Sequence, residues 1–95
     1  MQFLVLGYDG TDSGALERRM ASREEHLTGL REMKASGQLL FAAALLSEEG
    51  TMVGSCVVLD LPERSDLESW LADEPYVVAQ VWKKIEVRNC RLAAL

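Results

Sequence analysis

The apolar residues of the chain fall into four runs that predict four β-strands. The first three runs, at residues 2–8, 39–46 and 52–61, have the length and apolar content of buried strands. A polar segment ending in glycine, residues 47–50, separates the second run from the third and is typical of a hairpin loop. The last run, residues 77–87, is predicted to carry a short helical piece and then the fourth strand.

Two segments between the strands are predicted to be helical. The longer one spans about residues 13–36, with N-cap oxygens from Asp12 and Ser13 and with Gly37 in the left-handed position that ends many helices. The shorter one begins at the capping-box pattern of residues 65–68. It is expected to stop before Pro75, because proline disfavours a helical conformation in the residue that precedes it.

The resulting order is strand, helix, strand, strand, helix, strand, which predicts an α+β, ferredoxin-like antiparallel sheet with both helices on one face. A chain of 95 residues fits a single domain. The runs at 3–6 and 39–46 are apolar on both faces, whereas a sheet covered on one face usually alternates. We therefore expect a second copy to cover the free face in a symmetric homodimer, or in a higher oligomer. A ligand groove on that face is the weaker alternative.

Composition narrows the function classes. The net charge of −5 argues against binding nucleic acid, for which a basic surface is expected. No apolar run approaches the roughly 20 residues that cross a bilayer, so no membrane association is expected. The N-terminal run lacks a basic region and a cleavage site, which predicts a cytoplasmic protein with Cys56 and Cys90 as reduced thiols. Two distant cysteines and one histidine make a poor metal set, and we expect no metal or cofactor.

The best candidate for chemistry is His26, the only histidine, in the predicted first helix. A lone helical histidine is more often a hydrogen-bonded or solvated bystander. Asp9 ends the first strand on the same face as Phe3 and Val5, and it could approach His26 if that face meets the helix. A carboxylate that binds an imidazole orients the ring, as in a catalytic triad. Asp-Gly is also a common turn signal, and turn capping is the simpler interpretation of Asp9.

Two arginines lie near His26 on this helix. At about 100° per residue, Arg23 falls in the middle of an apolar stripe, and Arg19 lies with His26 on its shoulder. The stripe consists of Leu16, Met20 and Leu27, and the shoulder also carries Leu30 and Met33. Either the stem of Arg23 packs while its guanidinium reaches a carboxylate or solvent, or Arg23 lines a pocket and binds an anion. Asp73 and Tyr76 are further polar candidates, for which a helix cap and a core residue are the simpler interpretations.

Several short motifs together resemble the YCII-related (YciI-like) domain family over nearly the whole chain. They are Tyr8-Asp9, Leu16-Glu17-Arg18-Arg19, Arg23-x-x-His26-Leu27, Gly37-x-Leu39-Leu40, Gly54-Ser55 and Asp73-x-Pro75-Tyr76-Val77. The resemblance implies a ferredoxin-like subunit of a dimeric α+β barrel, with a pocket whose catalytic His-Asp pair is carried onto His26 and Asp9. One relative is a cofactor-free dehydrochlorinase acting on a chlorinated hydroxyquinol, and most members have no assigned reaction.

The chain departs from the family pattern at two places. The family commonly has Asp directly before the proline, whereas this chain has Asp73-Glu74-Pro75, so either Asp73 or Glu74 occupies that position. The chain also lacks the Gly-Pro segment that many relatives carry after the second strand.

Three functions are compatible with these residues. The first is a cofactor-independent lyase or isomerase in which His26 removes a proton and Asp9 holds the imidazole. Arg19 or Arg23 would bind an anionic or phenolate oxygen, with Tyr76 and Asp73 in the substrate pocket. The second is a non-catalytic small-molecule-binding or regulatory module that uses the same pocket. The third, a structural dimerising domain, explains the strands but not the cluster around His26.

Overall fold

The computed structural model describes residues 1–95, and its sheet confirms the predicted α+β, ferredoxin-like class. The elements are β1 (Gln2–Asp9), α1 (Ala15–Ala35), β2 (Leu39–Leu46), β3 (Met52–Asp60), α2 (Arg64–Asp73), α3 (Pro75–Val78) and β4 (Trp82–Cys90). The four strands form one sheet in the order β2-β3-β1-β4, and every neighbouring pair is antiparallel. The split order places β1 and β3 at the centre, where they carry most of the core.

The ends of α1 differ in how well the sequence predicts them. Gly37 has a φ of 83° just after the helix, which is the left-handed conformation expected of it. At the other end, the N-cap is Gly14 and no side chain caps the helix. The carboxylate of Asp12 instead accepts hydrogen bonds from Nη1 and Nη2 of Arg18, at 3.1 and 2.8 Å. Neither predicted cap forms, and the oxygens of Asp12 are taken by this ion pair.

The second helical region also begins and ends on different residues from those predicted. Its capping box is formed by Glu63 and Asp66, two residues before the predicted 65–68 pattern. Pro75 ends α2 as expected, but it also starts the four-residue helix α3, where proline is tolerated at the first position. Strand β4 follows from Trp82 and extends three residues beyond the predicted end at Val87.

The core lies between the sheet and the helices. Phe3 and Val5 of β1 pair with Leu59 and Val57 of β3, and all four side chains are buried. The three helices complete the core from above with Leu30, Leu67 and Tyr76.

Helix α1 buries a different face from the apolar stripe that its sequence predicts. Its buried residues are Arg19, His26 and Leu30, whereas Leu16 and Met20 are 43% and 50% exposed. The buried face therefore passes through the shoulder, because the two polar residues find buried partners there. Although α1 is the longest helix, none of the helices combines the length and the hydropathy needed to cross a membrane.

The opposite face of the sheet carries no helix. It is apolar along β1, β2 and β3, whereas β4 places Lys84, Glu86 and Arg88 on it. Because side chains alternate along a strand, the residues next to the core positions point to this side. On β1, β2 and β3 they include Leu4, Leu6, Ala43, Leu45, Cys56 and Val58. Cys56 and Cys90 are free thiols, as expected, and burial raises the pKa of the Cys56 thiol.

Candidate functional site

A cavity of about 220 Å³ lies between α1 and the sheet. Its polar lining consists of Arg19, Arg23, His26, Ser55 and Tyr76, which come from α1, β3 and α3. The remaining walls are apolar and include a run of small residues from the edge strand β2. The cavity therefore presents a few convergent polar groups on an apolar background, as small-molecule sites do.

His26 enters this cavity with one ring nitrogen already bound. Its Nδ1 lies within hydrogen-bond distance of Oε1 of Glu74, and the two residues are 5% and 4% exposed. An ionised carboxylate can only accept, so beside ionised Glu74 the hydrogen lies on Nδ1, and the lone pair of a neutral imidazole is then on Nε2. Nε2 has no hydrogen-bond partner in the protein, and His26 is among the residues that line the cavity.

Glu74 is itself held in place by the start of α3. It occupies the N-cap position in an extended conformation, directly before Pro75. Its Oε1 also accepts a hydrogen bond from the backbone N–H of Tyr76 at 3.1 Å, which is the usual capping contact. The carboxylate that orients His26 thus cannot turn away without uncapping the helix.

Two aromatic rings fix the plane of the imidazole. The ring of Tyr76 stacks on His26 with centroids 3.9 Å apart and an interplanar angle of 13°, and Trp82 meets it edge-on at 6.0 Å. Trp82 reaches this place because position 7 is glycine, since a Cβ there would lie 2.3 Å from the indole ring. Burial raises the pKa of Tyr76, so its phenol stays protonated near neutral pH.

Arg19 and Asp9 form a second buried ion pair at the other end of the cavity. Nη1 of Arg19 donates to both carboxylate oxygens of Asp9, at 3.0 and 3.1 Å, and Nη2 donates to Oγ of Ser55 at 2.8 Å. Both side chains are almost fully buried. Burial raises the pKa of Asp9, and this effect outweighs the opposing attraction of Arg19.

The predicted contact between Asp9 and His26 does not form. Arg19 and His26 lie on one face of α1, but His26 is two turns, about 10 Å, further along the helix axis. The end of β1 reaches only the first turns of α1, so Asp9 pairs with Arg19. His26 instead meets the start of α3, where Glu74 supplies the carboxylate.

The remaining predicted site residues separate into two groups. Arg23 and Tyr76 line the cavity, and no carboxylate lies within ion-pair distance of the Arg23 guanidinium. The carboxylate partner considered for Arg23 is therefore absent, and the half-buried side chain borders the cavity. Asp73 lies outside the cavity, in a groove between α1 and α2, and Glu74 occupies the position beside His26.

Ser55 and Trp82 also belong to the site, although the sequence did not predict that their polar groups take part in it. Oγ of Ser55 accepts hydrogen bonds from Arg19 and from Nε1 of Trp82, the latter at 3.2 Å. Ser55 is buried in line with Val57 and Leu59 on the core face of β3. A polar residue at an inward position of an otherwise apolar strand was the signal that could have identified it.

The fold and the site together define a ferredoxin-like α+β protein with a buried histidine–carboxylate pair facing a small cavity. The family model of the YCII-related domain matches residues 1–91, and the chain belongs to this family. An uncharacterized protein of Haemophilus influenzae is 34% identical over 94 residues, which cover 93% of this chain and 94% of that protein.

Solved structures show the same fold. One is a 5-chloro-2-hydroxyhydroquinone dehydrochlorinase from Burkholderia phenoliruptrix, in complex with 2,5-dihydroxybenzoquinone; it is 20% identical, with a TM-score of 0.84 over 98% of this chain and 96% of that one. Another is a dimeric ferredoxin-like protein from an uncultured marine organism. It is 18% identical, with a TM-score of 0.54 over 99% of this chain and 96% of that one.

Proposed function

We propose that the cavity is the active site of a small, cofactor-independent enzyme of the lyase or isomerase type, in which His26 transfers a proton of a small anionic or phenolic substrate. One observation carries the proposal. Nδ1 of His26 is held by Glu74, while Nε2 has no hydrogen-bond partner in the protein and His26 lines the cavity. A base oriented by a carboxylate and open to a ligand on its other nitrogen is the arrangement that proton transfer requires.

In this proposal Glu74 takes the role that the sequence assigned to Asp9. It keeps the hydrogen on Nδ1, so that Nε2 can accept a C–H or O–H proton from the substrate. Its negative charge stabilises the imidazolium that forms. The electron pair left on the substrate then either expels a leaving group, such as chloride, or takes the proton back at another atom. The first outcome is an elimination and the second an isomerisation.

Arg23 is the group we propose for binding the substrate's negative charge. Arg19 is already occupied by Asp9 and Ser55, whereas Arg23 has no carboxylate partner. A planar guanidinium suits a carboxylate or phenolate oxygen. The neutral phenol of Tyr76 borders the same space. A cavity of about 220 Å³ suits a single ring or a similarly small molecule.

The likeness to a dehydrochlorinase suggests the first substrate to test. Chloride release from 5-chloro-2-hydroxyhydroquinone should be accelerated by the wild-type protein. It should fall by about 10²- to 10⁴-fold in His26→Gln, which removes the base. Met20→Gln, an exposed change on the same helix, is the matched control and should not change the rate.

Two other results would contradict the enzyme proposal. A rate that is equal in wild type and His26→Gln would remove the proposed base. Tight binding of 2,5-dihydroxybenzoquinone by calorimetry, without turnover of chlorinated or isomerisable phenols, would instead favour the non-catalytic binding module.

We also propose that two copies pack through the uncovered face of the sheet. That face is apolar along β1, β2 and β3, although no helix of the chain covers it. Burial of apolar area is the main driving force for association, and a symmetric dimer is the commonest solution. Sedimentation equilibrium at micromolar concentration should give about twice the chain mass of 10.5 kDa.

A charge on this face should split the dimer. Leu6→Lys places an ammonium among Leu4 and Cys56 and should yield monomers of lower stability, because the apolar face is then exposed. Val78→Lys is the matched control, since Val78 is apolar and 66% exposed but lies on α3. A wild-type monomer, or an equal effect of the two substitutions, would contradict the proposed interface.

A further inference from the structure

The hydroxyl of Ser55 has an unusual set of neighbours. Its oxygen accepts from Nη2 of Arg19 at 2.8 Å and from Nε1 of Trp82 at 3.2 Å. A guanidinium and an indole can only donate hydrogen bonds. Both bonds therefore end on the serine oxygen, whose two lone pairs they occupy.

The hydroxyl hydrogen of Ser55 is left without an acceptor. A hydroxyl offers one donor and two acceptor sites, and no protein atom accepts from this one. Ser55 is 2% exposed, and the space that it borders is the cavity. Because both lone pairs of the serine oxygen accept from Arg19 and Trp82, the hydroxyl hydrogen can point only in a direction that these two donors do not occupy. The cavity is therefore the space in which a ligand can supply the missing acceptor.

We propose that Ser55 donates a hydrogen bond to an oxyanion of the ligand, a phenolate or enolate oxygen, and so selects for that charged form. This inference rests on the proposed function and adds the group that stabilises the charge left after proton removal. Arg19 strengthens the donor, because a hydroxyl that accepts from a cation is a better donor itself. Donors aimed at a developing oxyanion in a dry site are among the strongest catalytic contributions.

The arrangement also separates the tasks within the cavity. His26 accepts a proton through Nε2, while Ser55 can only donate. Trp82 connects the two groups, since its ring meets the imidazole and its N–H binds the serine oxygen. A ligand with an acidic hydrogen next to an oxygen that becomes negative would satisfy both.

Equilibrium binding separates this proposal from catalysis. The probe is 4-nitrophenolate, and its uncharged counterpart of the same shape is 4-nitroaniline, both followed by absorbance. Ser55→Ala should weaken phenolate binding by about 10- to 100-fold, the range for a hydrogen bond to a charged group. The affinity for 4-nitroaniline should change by less than about threefold, and Ser55→Thr, which keeps the hydroxyl, should restore phenolate binding.

Equal losses for the two probes, or no loss for either, would show a purely structural serine and overturn the proposal. So would failure of the wild-type protein to bind 4-nitrophenolate at millimolar concentration. The measurement does not depend on turnover, and we expect the same selectivity in His26→Gln. Selectivity that persists without any His26-dependent reaction would leave this inference standing while the proposed enzyme function fails.

Trp82→Phe provides a second test if Ser55→Ala does not fold. This change removes one donor and frees a lone pair of the serine oxygen, which can then accept from a ligand amine. We expect the preference for 4-nitrophenolate over 4-nitroaniline to decrease. An unchanged preference would overturn the proposal.

Discussion

The two buried ion pairs on α1 lie two turns apart, but they differ in what they leave unsatisfied. Nη1 of Arg19 binds Asp9 and Nη2 binds Ser55, so that only the buried Nε–H of this fixed cation lacks a partner. His26 and Glu74 are equally buried, although Nε2 of the imidazole, which can gain or lose a proton, has no partner in the protein. The comparison shows that a buried charge alone does not indicate a reactive group. A reactive group also needs an unbound atom that can gain or lose a proton.

The two basic side chains, the guanidinium of Arg19 and the imidazole of His26, differ in whether they can exchange a proton. A guanidinium keeps its charge at all physiological pH values, so Arg19 can position neighbours but cannot accept a proton. An imidazole can do both. We therefore assign a positioning role to the Arg19–Asp9 pair and a proton-transfer role to the His26–Glu74 pair, and the following predictions test this division.

Removal of Asp9 should have the largest effect on stability. Asp9→Ala leaves the guanidinium of Arg19 buried and without its carboxylate, which typically costs about 3–5 kcal/mol. The free energy of unfolding, measured by urea denaturation, should fall by this amount. Asp12→Ala is the control, since it breaks the ion pair with Arg18 at the surface and should shift the midpoint little. Similar effects of the two changes would show that the buried pair contributes no more than an exposed one.

Loss of the charge of Glu74 should mainly affect catalysis. Glu74→Gln keeps an acceptor for Nδ1 but removes the charge that stabilises the imidazolium, so kcat should decrease by roughly 100-fold or more. The fold should persist, because the amide oxygen can still cap α3. Nitrogen chemical shifts of the single histidine would report the tautomer directly. Asp73→Asn, one residue away but outside the cavity, should change kcat by less than about twofold.

The pH dependence of Asp9→Asn should be the reverse of the usual carboxylate behaviour. Burial raises the pKa of Asp9 in the folded state, so between its ordinary value and the folded value the native protein binds more protons than the unfolded chain. Its contribution to stability is therefore full below 3.8 and is lost as the pH rises through the folded-state pKa. The cost of Asp9→Asn should shrink over that interval. A cost that grows with pH would contradict the sign.

The smallest expected effect concerns Asp12. The hydrogen bond from Arg18 lowers its pKa from 3.8 to about 2. The contribution of this exposed pair is therefore present above 3.8 and is lost as the pH falls through about 2. Asp12→Asn should slightly flatten the acid limb of the stability profile. Carboxyl chemical shifts in acid would test the pKa independently, and an unshifted titration would show that the ion pair does not persist in solution.

The sequence by itself determined the order of the elements, the sheet and the identity of several cavity residues. Apolar runs and turn residues report local structure, and for that reason β2 and the glycine after α1 occupy the predicted positions. Helical periodicity also grouped Arg19, His26 and Leu30 on the shoulder of the stripe, and these three are the buried residues of α1, since this periodicity is itself a local property.

Only the tertiary structure decided which groups contact each other. His26 and Glu74 are 48 positions apart, and their contact depends on where α3 docks against α1. Asp9 pairs with Arg19 because β1 extends only to the first turns of α1. The role of Ser55 depends on two donors, Arg19 of α1 and Trp82 of β4, that come from distant parts of the sequence. Pairing of polar side chains is set by distances of a few ångströms between elements, because hydrogen bonds and ion pairs are short-ranged. A pattern along the chain carries no information on that scale.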